Sequence, residues 1–174
     1  NVTPDGYQCL DGSLYLDGDN NPWMLYCVEW IGPNVRGMVG EIWAIRLKKD
    51  LTDREGEPHY LFKASDAPWP THKTDGMVTD APFITTDPAT GNLIMTWSSF
   101  GPRYGIVQAI SHNGVLGPWE QVAEPIFAED GGHCAVFKDL QGRLRMSFHC
   151  PNSKTETLTI RDVEIVDGKL RIVE

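Results

Sequence analysis

Apolar and polar positions along this chain change over in short bursts, and no stretch keeps a 3.6-residue period long enough for a helix. The first runs are "SLYLD", "PWMLYCVEW", "EIWAIRL" and "PHYLFKA", followed by "PFITTD", "LIMTWSSF", "YGIVQAIS" and "WEQVAE". Then come "CAVFKD", "LRMSFHC", "ETLTIRDVEI" and "KLRIVE". Each is rich in β-branched or aromatic residues and bounded by Gly, Pro, Asn or Asp, the punctuation of strands and turns. Twelve such runs in 174 residues predict an all-β protein.

Three segments repeat one phrase: "LDGSLYLDGDNNPWMLYCVEW" from Leu10, "TDAPFITTDPATGNLIMTWSSF" from Thr79 and "GHCAVFKDLQGRLRMSFHCPN" from Gly132. In each, a polar residue opens a strand, an aspartate closes it (Asp17, Asp87, Asp139), and after a turn an apolar strand with a central Met returns. Two further strands follow each hairpin, which makes a four-stranded meander. Repetition of such a unit predicts a β-propeller of three four-stranded antiparallel blades, approximately residues 10–65, 79–125 and 130–174, in a single partial-propeller domain. The openers Asp11, Asp80 and His133 are 69 and 53 residues apart and take equivalent places in the repeat.

The first strand of a propeller blade lines the central channel, so these three side chains are expected to converge. Each acid also suits a turn, since Asp readily bonds the backbone at a strand entry. Two carboxylates across a polar cavity are what glycoside cleavage needs, one to protonate the leaving oxygen and one to act on water. Trp30, Trp69, Trp97 and Phe100 are candidates to stack on a sugar ring, while Trp97, Trp43 and Trp119 equally suit the core between blades. Arg103 and Tyr104 suit sugar hydroxyls or a loop role, and His149, ending "SFH", is a candidate to line the channel. "DGDNNP" reads as a hairpin turn, because it lacks the distal Glu of a calcium loop. His59, His72 and His112 read as surface residues.

Composition narrows the partners. The formal charge of −9 argues against nucleic acid or an anionic membrane and favours a neutral ligand. With 41% hydrophobic and 22% charged residues, the chain can build a core without disulfides or metal. The cysteines at 9, 27, 134 and 150 form no CxxC pair and read as free thiols. Asn1-Val2-Thr3 fits a glycosylation sequon. The opening "NVTPDGYQ" has no signal-peptide pattern and no initiator Met, as in a mature or excised form. An extracellular or periplasmic location is slightly favoured over a cytoplasmic one.

The three segments together resemble glycoside hydrolase family 43, the five-bladed propellers that include β-xylosidases, α-L-arabinofuranosidases and arabinanases. The resemblance covers nearly the whole chain, including "GPWE" at 117–120. It implies Asp11 as the carboxylate that tunes the acid, Asp80 as the general acid, and His133 as a channel residue associated with calcium, with no organic cofactor. Asp80-Ala81-Pro82 stands where the family usually has Glu-Gly-Pro, one methylene longer, so Glu29 is kept as a reserve acid. The family's base belongs to its first blade, and nothing before Asp11 matches it. The chain thus resembles a form lacking the N-terminal blades: another residue serves as base, another chain supplies it, or hydrolysis is impaired. Three blades leave open sheet edges, and a homo-oligomer is expected to cover them. The implied activity is inverting hydrolysis of xylose- or arabinose-containing plant polysaccharide or oligosaccharide at the non-reducing end. A carbohydrate-binding fragment without catalysis and a structural part of a longer enzyme stay open.

Overall fold

The computed structural model describes residues 2–32, 37–71 and 76–173. His72 and Asn1, the sequon's acceptor, lie outside the described residues. The chain is all-β, with three four-stranded antiparallel sheets. The first blade comprises β1 (Cys9–Leu16), β2 (Pro22–Val28), β3 (Glu41–Arg46) and β4 (His59–Lys63). The second comprises β5 (Asp80–Thr86), β6 (Leu93–Phe100), β7 (Tyr104–Ser111) and β8 (Trp119–Gln121). The third comprises β9 (Gly132–Lys138), β10 (Leu144–His149), β11 (Leu158–Val166) and β12 (Lys169–Ile172). Strands within each blade pair in chain order, and β1, β5 and β9 lie innermost against one another. The described residues hold only one short helical turn, Ala64–Asp66.

The three closing aspartates fix the first hairpin of every blade. Asp17 Oδ1 accepts from the amides of Asp19 and Asn21, Asp87 Oδ1 from Ala89, and Asp139 Oδ1 from Gln141 and Arg143. Each carboxylate thus closes an Asx-type turn that hands the chain to the returning strand. "DGDNNP" is accordingly a hairpin turn.

Blades pack face to face, so the middle blade is buried on both sides. Every residue of β7 is buried, as is β6 up to Ser99, which explains why "LIMTWSSF" shows no polar alternation. Leu25, Ile42, Phe62, Met95, Trp97 and Val107 form the core between the first two blades. Ile94, Ile106, Val136, Met146, Phe148 and Leu170 form that between the second and third. Each fully buried side chain of this size contributes about 1.5–3 kcal/mol. Gln108 stitches the latter interface: its amide nitrogen donates to Leu170 O at 3.0 Å and its oxygen accepts from Leu170 N at 2.9 Å. On the third blade Phe137, Leu158 and Ile160 stay exposed. All four cysteines are free.

Candidate active site

Each inner strand carries a β-bulge where it reaches the axis. The pairing skips between Leu10 and Ser13, between Asp80 and Phe83, and between His149 and Ser147, opposite Gly132 and Ala135. In every bulge a non-glycine residue is held in the left-handed region: Asp11 at φ 56°, Ala81 at φ 49° and His133 at φ 56°. Such conformations cost of order 1–3 kcal/mol each and persist only where the surroundings impose them. Three repeats of the same strain at one axis aim backbone and side chains into a common space.

The bulges also correct the repeat register. Asp11, Ala81 and His133 are the equivalent residues, and Asp80 lies one position earlier, level with Leu10 and Gly132. The three strands are equally long, with Leu10, Asp80 and Gly132 each seven residues before the closing aspartate, so Asp80 is simply one position earlier than Asp11 and His133. A one-residue offset redirects a side chain, and Asp80 reaches toward β7 and the third blade while Asp11 reaches into the second.

Asp11 Oδ2 accepts the Ala81 amide at 3.1 Å, and His133 Nδ1 stands 3.9 Å from the same oxygen. Ser13 donates its hydroxyl to the carbonyl of Pro82, which locks the two inner strands together beside this contact. Asp80 Oδ2 accepts the Tyr104 hydroxyl at 2.7 Å, and Oδ1 accepts no hydrogen bond among the described residues. The Tyr104 ring lies parallel to His149, with centroids 5.7 Å apart and planes within 4°, and tilts against Phe100 at 4.8 Å. Ser98 Oγ accepts the His133 amide at 2.9 Å.

Burial pushes the Asp80 carboxyl above its ordinary range; the Tyr104 hydrogen bond opposes this, the Asp11 charge adds to it, and His133 and His149 oppose it. Glu29, just after β2, is raised by burial and then by Asp80 and Asp11. Its Oε2 is enclosed without a hydrogen-bond partner among the described residues. Three carboxylates thus share one electrostatic field, and the least solvated ones hold protons to higher pH than an exposed acid would. That is the condition for a carboxylic acid able to donate at mild pH.

Of the residues expected at the site, Asp11, Asp80, His133, His149 and Glu29 come together. Phe100 reaches the site through Tyr104, and half-buried Trp30 packs over Gly76, whose backbone leaves no room for a Cβ. Arg103 is exposed in the β6–β7 turn, where its charge acts on Asp130 and where it borders a depression with Phe100, Asp130 and Ser153. Trp97 is not a sugar platform: it is fully buried against Phe62, because its strand is covered on both faces. Trp69 lies over Gly101 and Gly105, where an added Cβ would come within 2.6 Å of its ring. Exposed His59 and His112 lie apart from the axis, the first beside Trp23 and the second 3.9 Å from Glu120.

Tyr104 is the residue whose role the sequence underplayed. Gly131 and Gly132 make its place possible, since a Cβ on Gly132 would lie 2.2 Å from Tyr104 Cε1 and one on Gly131 would lie 2.5 Å from His149 O. The paired glycines before His133 are the one sequence signal of that close approach.

His133 offers a single imidazole, and among the described residues no three His, Cys, Asp or Glu side chains converge to hold a metal ion. Calcium takes about six to eight oxygen ligands. Water molecules can supply most of those ligands, with His133 as the channel side chain beside them.

Acidic side chains gathered on strained bulges of the inner propeller strands match the layout of a propeller-type glycoside hydrolase. The chain belongs to glycosyl hydrolases family 43, whose profile matches residues 1–170. Among solved structures, an endo-arabinase from Bacteroides thetaiotaomicron VPI-5482 is 52% identical with a TM-score of 0.90, over 97% of this chain and 60% of that one. An endo-1,4-beta-xylanase from the same organism is 23% identical with a TM-score of 0.78, over 97% and 59% of the two chains. A xylan beta-1,4-xylosidase from Bacillus halodurans C-125 is 17% identical with a TM-score of 0.71, over 94% and 33%. The latter two share the fold. The chain spans about 60% of the length of the endo-arabinase and less of the others. No curated protein sequence matches it.

Proposed function

We propose that this chain carries the proton-donating half of a glycoside-cleaving site directed at arabinose-containing polysaccharide. The observation that carries the reading is Asp80, half-buried, held by Tyr104 through one oxygen and beside Asp11 at the axis. In this reading Asp80 protonates the leaving oxygen through its free Oδ1. Asp11 holds the Ala81 amide and places a negative charge beside Asp80, which adds to burial in raising the acid's carboxyl above its ordinary range. The 52% identity to an endo-arabinase favours arabinan over xylan and cleavage within the chain over cleavage at its end. Inversion needs a base roughly 6.5–9.5 Å from the acid, with water between them. We assign that base to a carboxylate across the channel from Asp80, beyond the three blades. The exposed apolar face of the third blade, with Phe137, Leu158 and Ile160, is the surface through which a second copy would bring it.

The test is reducing-sugar release from linear arabinan and from xylan by the purified chain and by Asp80→Asn. Release from arabinan that disappears in the variant supports the reading, and equal release by both proteins refutes it. Sedimentation of the purified chain tests self-association, which a monodisperse monomer contradicts. Binding of arabinan without turnover by either protein would favour a carbohydrate-binding role.

A further inference from the structure

We infer that Tyr104 is a positioning residue for Asp80: it fixes one carboxyl oxygen so that the other faces the leaving group. This rests on the assignment of Asp80 as the acid, and it adds a residue to that assignment. Three contacts point the same way. The hydroxyl lies 2.7 Å from Asp80 Oδ2. The ring is clamped between Phe100 and a parallel His149. Gly132 leaves only enough room for that ring, with a Cβ placed 2.2 Å from Cε1.

Asp has only two side-chain torsions, so tying Oδ2 fixes the direction of Oδ1. This matters for an acid one methylene shorter than Glu, since a short side chain can donate only if the substrate meets its free oxygen in one place. Burial and the nearby Asp80 charge hold the Tyr104 phenol far above its ordinary range, so it stays a neutral donor wherever the protein works. Its hydrogen bond favours the ionised carboxylate, which stabilises Asp80 once the proton has passed to the leaving oxygen. The other titratable groups facing Asp80 are Asp11 from β1, Cys27 from β2, Glu29 after β2, His133 from β9 and His149 from β10. Among the described residues these act on Asp80 through their charge, whereas Tyr104 is hydrogen-bonded directly to its carboxyl group.

The test reads Asp80 itself, so it does not depend on turnover. Carbon-13 NMR follows the Asp80 carboxyl through a pH titration in the wild type and in Tyr104→Phe, with Asp80→Asn to assign the resonance. The midpoint is expected to rise by about one pH unit in Tyr104→Phe, the size of a hydrogen bond to a charged group. In the wild type, Tyr104 Cζ should report the same midpoint, and that step should vanish in Asp80→Asn. An unchanged Asp80 midpoint in folded Tyr104→Phe overturns the inference. If that variant does not fold, absence of the Asp80 step at wild-type Tyr104 Cζ overturns it instead. Where turnover is measurable, Tyr104→Phe should move the upper pH limb of kcat upward and slow poor leaving groups most. A chain without turnover sinks the hydrolase reading, while the titration still decides the role of Tyr104.

Discussion

Replacing Gly132 with alanine adds a single methyl group at the tightest point of the site. That carbon would lie 2.2 Å from Tyr104 Cε1, 2.8 Å from Cδ1 and 2.9 Å from Ser98 Oγ. Retreat of the ring is opposed by Phe100 and His149, which pack on it, and by the bond of its hydroxyl to Asp80. Overpacking of this kind typically costs about 1–3 kcal/mol. Reduced freedom of the unfolded chain returns about 0.4–1 kcal/mol. The net expectation is a loss of about 1–2 kcal/mol, or about 2–8 °C in Tm for a domain of this size. Urea unfolding followed by tryptophan fluorescence measures it, and the slope with denaturant should not change. Gly18→Ala is the control, because nothing lies within 4 Å of its added Cβ, and it should stay within about 0.5 kcal/mol of wild type. A Gly132→Ala midpoint equal to that of Gly18→Ala would refute the packing argument for Tyr104.

Other outcomes follow from the same geometry. Trp97→Ala should cost about 3–5 kcal/mol as a core truncation, and a near-normal stability with weakened sugar binding would show that the ring is a platform after all. Gln108→Ala strips the Leu170 amide and carbonyl of their partners and should destabilise by about 1–3 kcal/mol, with faster amide exchange at Leu170. Asp80 binds its proton more tightly folded than unfolded, so its ionisation costs stability as pH rises above the unfolded value near 3.8. Asp80→Asn should therefore raise Tm at pH 7, and the gain should fade toward pH 4; a variant less stable at pH 7 than at pH 4, relative to wild type, contradicts the sign. The closing aspartates act oppositely. Partial burial raises the Asp17 carboxyl, but Trp23, Asn21 and Asp19 donate to it and hold it at about 2. Burial is likewise outweighed at Asp139, where Arg143, Arg145 and the Gln141 amide hold the carboxyl at about 2. Their contribution is present above about 3.8 and is lost as pH falls toward 2, so a double Asp17→Asn, Asp139→Asn variant should show a flatter acid-unfolding curve.

The strands were legible because each hairpin is written locally: an aspartate that closes an Asx turn, a Gly- or Asn-rich corner, and a returning apolar strand. The gathering of Asp11, Asp80 and His133 was legible because the phrase recurs. Their exact equivalence fails on a count back from the closing aspartates: Asp80 stands seven residues before Asp87, whereas Asp11 and His133 stand six before Asp17 and Asp139, and the bulge turns that one-residue offset into a different direction for the side chain. Trp97 misled because a strand covered on both faces lacks the alternation that separates core from surface. Tyr104 sits in the sequence beside exposed Pro102 and Arg103, and its destination is set by a glycine 28 residues further on in another blade. Such a contact is tertiary, and no local pattern announces it.

The central claim is that Asp80 donates the proton in cleavage of an arabinose-containing polymer. The most direct test is product analysis of linear arabinan incubated with the purified chain, with Asp80→Asn and with Asp80→Glu. Short arabino-oligosaccharides from the wild type, none from Asp80→Asn and partial return with Asp80→Glu are the predicted result. Equal product from the wild type and Asp80→Asn would contradict it.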